Sequence, residues 1–196
     1  VHAEDADFIN SAEMYYKLQG ELPVHYYKSR PETAELLAVQ NILLINRDIR
    51  AQVHFVHIST AESVELIKKA EASCETAPHY LHFDVDDFAR LGSSLKVAPS
   101  VKLPNNHLKL WKFLQKGMID FIASDHAPCP AELKKTGSIW TDYGGIPGVG
   151  TLFLFMLSEG YLKRKMPLSR LTELCSANAA KFYRFYDRKG SLEVGK

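Results

Sequence analysis

Cysteine is scarce in this sequence. Cys74, Cys129 and Cys175 are the three among 196 residues, odd in number and far apart. They cannot form a disulfide framework, and a reducing, cytoplasmic setting is the reading they favour. An excess of either charge is also missing: Lys and Arg number 24 against 23 Asp and Glu, a net charge of +1. Such a balance offers no basic face for nucleic acid and no polybasic run for a lipid surface. Long apolar runs are absent too. Leu152–Leu157 is far too short to span a bilayer, and no segment reads as a signal peptide. There is no internal repeat and no low-complexity stretch. No G-x-G-x-x-G follows a strand, so a dinucleotide fold gains no support.

What is present is the balance of an ordinary globular protein, 46% hydrophobic and 24% charged, with enough length for a sizeable core. The chain opens on Val1-His2-Ala3-Glu4-Asp5 without a methionine and ends at Gly195-Lys196 after a turn-like Arg188–Ser191. Both ends read as the middle of something larger, so a fragment is expected.

Helical spacing begins at Pro31 and continues through Leu36, Leu37, Gln40, Leu43, Leu44 and Arg47. Gln52–Ile58 is β-branched and aromatic and reads as a buried strand. Ser59-Thr60 caps a helix over 61–70, and 72–76 is a short strand stopped by Pro78. Asn105-Asn106 precedes a helix that runs through Lys116, and a strand follows over 118–123. A Gly- and Pro-rich stretch covers 137–150, and helical patterns return at 151–157, 168–175 and 177–183. Strands alternating with helices predict parallel pairing in the order 52–58, 72–76, 118–123. An open doubly wound sheet and a (β/α)₈ barrel both fit.

Polar residues gather just past the strand ends. His57 ends one strand, Asp125 and His126 follow another, and His2 stands where a preceding strand would finish. In a barrel, all such ends meet on one face, where active sites are built. Nitrogen and oxygen donors of this kind suit zinc or a similar divalent ion. A lone histidine near a strand end can also be a core residue, and Asp-His-Ala-Pro can simply be a turn. The separations, 55 and 68 residues, are too long for a local zinc motif, so spacing alone leaves the question open. His25, His54, His82 and His107 have no partner pattern and read as structural or surface. His79 reads as a packing or loop-orienting residue, and Lys163-Arg164-Lys165 as a solvated helix end.

At these residues the sequence resembles the cyclic amidohydrolases, and among them the dihydroorotases most. The resemblance is carried in order by Val1–Asp5, Ser29-Arg30-Pro31 with Ala34-Glu35, His57-Ile58-Ser59-Thr60, Glu75–Leu81, Ser124–Pro128 and the Lys189–Lys196 ending. It implies a (β/α)₈ barrel of the metal-dependent hydrolase kind. Residues 1–196 would run from the end of strand 5 through strand 8 and its trailing helices. The first half of the barrel and a β-sandwich domain would lie outside the chain. It implies two divalent metals, zinc foremost, in the intact enzyme, with partial or no occupancy in a fragment. His2, His57 and Asp125 would be ligands, with Asp125 also the catalytic proton carrier. The substrate would be a small cyclic amide, and the intact protein a homo-oligomer.

The implied reaction is the reversible interconversion of dihydroorotate and N-carbamoyl-aspartate in pyrimidine biosynthesis. Pro99, Lys102, Cys129 and the Gly145-Ile146-Pro147-Gly148 loop would meet the substrate. Three departures bear on the ring. Pro99-Ser100-Val101-Lys102 replaces a Pro-Pro-hydrophobic-Arg stretch, and Cys129 stands where a second histidine is expected. The segment Cys129–Lys134 with Gly144-Gly145-Ile146 is similar instead to allantoinases. An allantoinase or hydantoinase is therefore the alternative, and a non-catalytic dihydroorotase-like partner protein the rival of another class.

Overall fold

A computed structural model describes all 196 residues. Its centre is a three-stranded parallel sheet in the order β1-β2-β3, the order and direction expected from the strand–helix alternation. The strands are β1 (His54–Phe55), β2 (Ser73–Thr76) and β3 (Phe121–Ile122). They are shorter than the apolar runs that announced them. Further bonds continue the pairing: Ile58 N–H donates to Glu75 O at 2.8 Å, and Ala123 N–H to Thr76 O at 3.0 Å. Val1 lies alongside β1, its ammonium on His54 O and its carbonyl accepting from Val56 N–H. Residues 1–3 thus sit at the sheet's edge and aim His2 past the strand ends.

Helices link the strands. α1 (Ala6–Lys17) and α2 (Pro23–Ser29) precede the long α3 (Glu32–Ile49). Neither α1 nor α2 follows from the apolar spacing. α1 buries only Ile9 and starts because the Asp5 carboxylate accepts from Phe8 N–H at 2.9 Å. α4 (Ala61–Lys69) is capped by Thr60, as its sequence predicts. β2 ends before Pro78, as expected, and that proline starts the short α5 (Pro78–His82), followed by α6 (Val85–Leu91); proline suits a first helical turn. α7 (Pro104–Gln115) returns the chain to β3. After a long loop come α8 (Leu152–Phe155), a π-helical stretch Met156–Lys163, α9 (Leu168–Thr172), a second π-helical stretch Glu173–Ala177, and α10 (Asn178–Phe182). These are the three C-terminal helical regions expected, with wider turns. Lys163 and Arg164 both pair with Glu159, and Arg164 also covers the Trp111 ring.

The two faces of the sheet differ. The register partners Phe55 and Cys74 are fully buried in a core with Val64 and Ile67 of α4 and Leu110 and Leu114 of α7. Burying each such aliphatic side chain stabilises by about 1.5–3 kcal/mol. On the other face the register partners His54 and Ser73 are hydrogen-bonded at 2.8 Å, and Glu75 takes the other imidazole nitrogen at 3.2 Å. The His54 ring stacks on Phe121. All three cysteines are free. No helix is long and apolar enough to cross a membrane.

Candidate active site

The loops leaving the C-terminal ends of the strands hold the polar groups. His57 and Asp125 both have positive φ, +40° and +47°. Neither is glycine, so each backbone is held in a conformation that costs of the order of 1–3 kcal/mol. Such strain persists where the surroundings over-determine it, and Arg50, Glu71, Lys165 and Arg184 share a positive φ away from this face.

His2 Nδ1 and His57 Nε2 face each other at 3.2 Å. On the far side of its ring, His2 Nε2 meets Glu4 Oε2 at 3.2 Å. Burial opposes charge on Glu4, but the His2 hydrogen bond and the Arg30 and Lys102 charges outweigh it and hold the carboxyl below its usual range. Glu4 in turn accepts from Arg30 Nη1 at 2.8 Å, while Arg30 Nη2 reaches Glu13 at 3.2 Å. A carboxylate that accepts a hydrogen bond from Nε2–H leaves Nδ1 as a lone pair. The ring of His57 is mostly buried. Burial lowers its pKa, and Asp125 partly offsets that by favouring the charged form. His57 Nδ1 is buried without a partner.

Asp125 Oδ2 stands 3.6 Å from His79 Nε2, too far for a hydrogen bond, and that nitrogen is otherwise unpartnered. Burial, with the His57 charge, pushes His79 down to about 3. His79 thus belongs to the site rather than to packing alone. No signal in the linear sequence ties it to Asp125, which lies on a different loop. Two ligand nitrogens on one tetrahedral ion, at about 2.0–2.1 Å each, stand at a separation like that of the His2–His57 pair, so these two residues fit a metal. No three His, Cys, Asp or Glu side chains stand together as a ready-made metal cluster. Asp125 lies against His79, and its charge also acts on His57.

Beside Asp125 lies a cavity of about 270 Å³, walled by His79, His82, Phe83, Ser124, Phe155 and the Ile146–Gly148 loop. His126 ties that loop down: its Nδ1 accepts from Gly148 N–H at 3.0 Å and Val149 N–H at 3.2 Å. Gly145 has φ +150°, and a Cβ there would come within 2.7 Å of Ala127 Cβ. A Cβ on Gly148 would overlap the Ser124 carbonyl oxygen.

The other expected substrate residues lie elsewhere. Lys102 is buried, and its ammonium donates to Arg30 O at 2.8 Å. Burial lowers its pKa, against the nearby Glu35, Glu4 and Glu32 carboxylates. Those carboxylates draw it inward, away from the cavity. Pro99 is buried too, its carbonyl accepting from Tyr80 Oη at 2.7 Å. Cys129 is half-buried beside Lys134 and outside the cavity wall. Lys102→Met should therefore destabilise the full-length protein by about 3 kcal/mol, because it strips a buried charge from its acidic partners, and leave the substrate KM unchanged. Chemical denaturation and steady-state kinetics check this; a raised KM at unchanged stability would return Lys102 to the binding surface.

Comparison with known proteins places this geometry. Residues 21–196 match the amidohydrolase family model. The chain belongs to the amidohydrolase family. An allantoinase of Deinococcus radiodurans is 37% identical over 200 residues, covering 99% of this chain and 44% of that protein. The structure of an L-hydantoinase (dihydropyrimidinase) from Arthrobacter aurescens superposes with a TM-score of 0.95 at 34% identity, over 100% of this chain and 45% of its own. The chain thus spans less than half the length of these amidohydrolase relatives. Dihydroorotase from Saccharomyces cerevisiae matches less well, with a TM-score of 0.69 at 19% identity over 77% of this chain and 43% of its own, a likeness of fold alone. These relatives thus carry the allantoinase and hydantoinase names that the motifs offered as the alternative, and dihydroorotase stands among them only as a likeness of fold.

Proposed function

We propose that this chain forms the second half of a (β/α)₈ amidohydrolase barrel. In the full-length protein it would hydrolyse a cyclic amide ring of the allantoin or hydantoin type. The observation that carries the reading is the His2–His57 pair, two ring nitrogens facing each other at 3.2 Å with a buried acid behind one of them. His2, His57 and Asp125 would hold a divalent metal, zinc by the chemistry of the donors. When bound, such an ion supplies a nucleophilic water at neutral pH and draws electron density from the amide carbonyl.

The remaining work falls to side chains and backbone. Asp125 accepts a proton from the attacking water and delivers it to the ring nitrogen as the amide bond breaks. Glu4 keeps the His2 Nε2 proton in place, so that Nδ1 stays available. His79, neutral above about pH 3, brings no competing charge to Asp125. The cavity walls of Phe83, Phe155, Ile146 and Pro147 exclude water from one side of the ring.

The test is an assay of the purified full-length protein on allantoin, a 5-substituted hydantoin and dihydroorotate. Zinc-dependent turnover of one of the first two is expected, with kcat/KM for dihydroorotate lower by about 100-fold or more. Dihydroorotate as the best substrate would overturn the ring assignment. Absence of turnover on all three would favour a non-catalytic partner protein.

A further inference from the structure

We propose that Glu35 is a positioning residue for His57, acting through the Ser59-Thr60 turn; this rests on the reading of His57 as a metal ligand. Glu35 is fully buried on α3. Its two carboxylate oxygens divide four donors between them. Oε2 accepts from Ser59 N–H at 2.9 Å and Ser59 Oγ at 2.5 Å. Oε1 accepts from Thr60 N–H at 3.0 Å and Thr60 Oγ1 at 2.7 Å. A carboxylate is an acceptor at all its positions, so only an ionised acid satisfies four converging donors.

The clamp has further jaws. Asn106 of α7 donates to Ser59 O and accepts from Ala61 N–H at 2.9 Å. Thr76 Oγ1 donates to Ile58 O at 2.7 Å, and Ile58 N–H donates to Glu75 O at 2.8 Å. The backbone immediately after His57 is thus bound by groups from α3, β2 and α7. His57 itself sits at φ +40°, a conformation that a non-glycine residue leaves unless its neighbours hold it. Thr60 already caps α4, and a cap alone needs no distant carboxylate. What Glu35 adds is a fixed exit direction for the chain at residue 59, and hence a fixed direction for the His57 ring. A glutamine there presents an amide NH₂ to one pair of donors, and that half of the clamp opens.

The experiment uses the full-length protein with Glu35→Gln and, as a matched control, Val39→Ala. Val39 lies one turn along the same helix and is equally buried. Titration with zinc should show affinity weaker by about 10–100-fold in Glu35→Gln and unchanged in Val39→Ala, although both lower Tm. In chelator-treated, histidine-labelled protein, NMR should show the His57 ring signals displaced in Glu35→Gln and undisturbed in Val39→Ala. That second readout needs no metal. Failure of the wild type to bind zinc would sink the proposed function, while displaced His57 signals would still support the role of Glu35. Should Glu35→Gln not fold, Ser59→Ala removes one donor and should displace the same signals by less. Unchanged zinc affinity and unchanged His57 signals, or equal changes in Val39→Ala, would overturn the proposal.

Discussion

Asp125→Asn in the full-length protein should lower kcat by about 10²–10⁴-fold, the range that general acid–base assistance contributes. The variant should fold, since asparagine is nearly isosteric and tolerates positive φ better than most residues, and position 125 sits at φ +47°. What it loses, in the proposed mechanism, is the group that takes and returns the proton. A second readout follows from the charge. Asp125 favours the protonated form of His57 against the effect of burial, so its neutralisation should move the His57 pKa further down. Rate measurements with histidine NMR check both. Normal turnover with metal still bound would mean that another residue carries the proton.

A steep loss of stability on mild acidification is the second large effect. Burial holds His79 neutral in the folded protein down to about pH 3, whereas the unfolded chain protonates it near 6.5. Between those values the unfolded state binds more protons, so stability is complete above pH 6.5 and falls as pH drops through the window. At 1.36 kcal/mol per pKa unit, acidification from pH 6.5 to 4.5 should cost about 2–3 kcal/mol through this one residue. His57, lowered in the same direction, adds to the slope. Denaturant titrations of chelator-treated wild type and His79→Gln would show it, with a visibly flatter pH dependence in the variant. Equal slopes would mean that His79 is protonated in the folded protein.

Much of the frame was legible because it obeys periodicity. The β-branched and aromatic run 52–58 marked one strand and the short segments 72–76 and 118–123 two more, Pro31 and the apolar spacing marked α3, and Thr60 marked the start of α4. α1 escaped because it carries almost no core: Ile9 is buried while Met14 and Tyr15 are exposed. Its only local sign was the Asp5 cap. His2, His57 and Asp125 could be named from their places after strands and from motif order. His79 could not be tied to the site, since its neighbour Asp125 comes from a separate loop. Lys102 misled for a related reason. Its place near a substrate-facing motif says nothing about side-chain direction, which is set by carboxylates on α3 and beside His2. The alternative reading of the ring rested on the allantoinase-like Cys129–Lys134 and Gly144–Ile146 segments, and the names of the relatives agree with it better than with the dihydroorotase reading.

The loop from Gly145 to Gly148 mixes two kinds of position. Its end residues have no room for a side chain, because one lies against Ala127 and the other against the carbonyl of Ser124. Between them, Ile146 and Pro147 line the cavity. The glycines thus keep the seat beside Asp125 unaltered, while a change at either residue they bracket alters the cavity wall. Substitution there reshapes the hollow next to Asp125, and so what fits in it, without disturbing Asp125 itself.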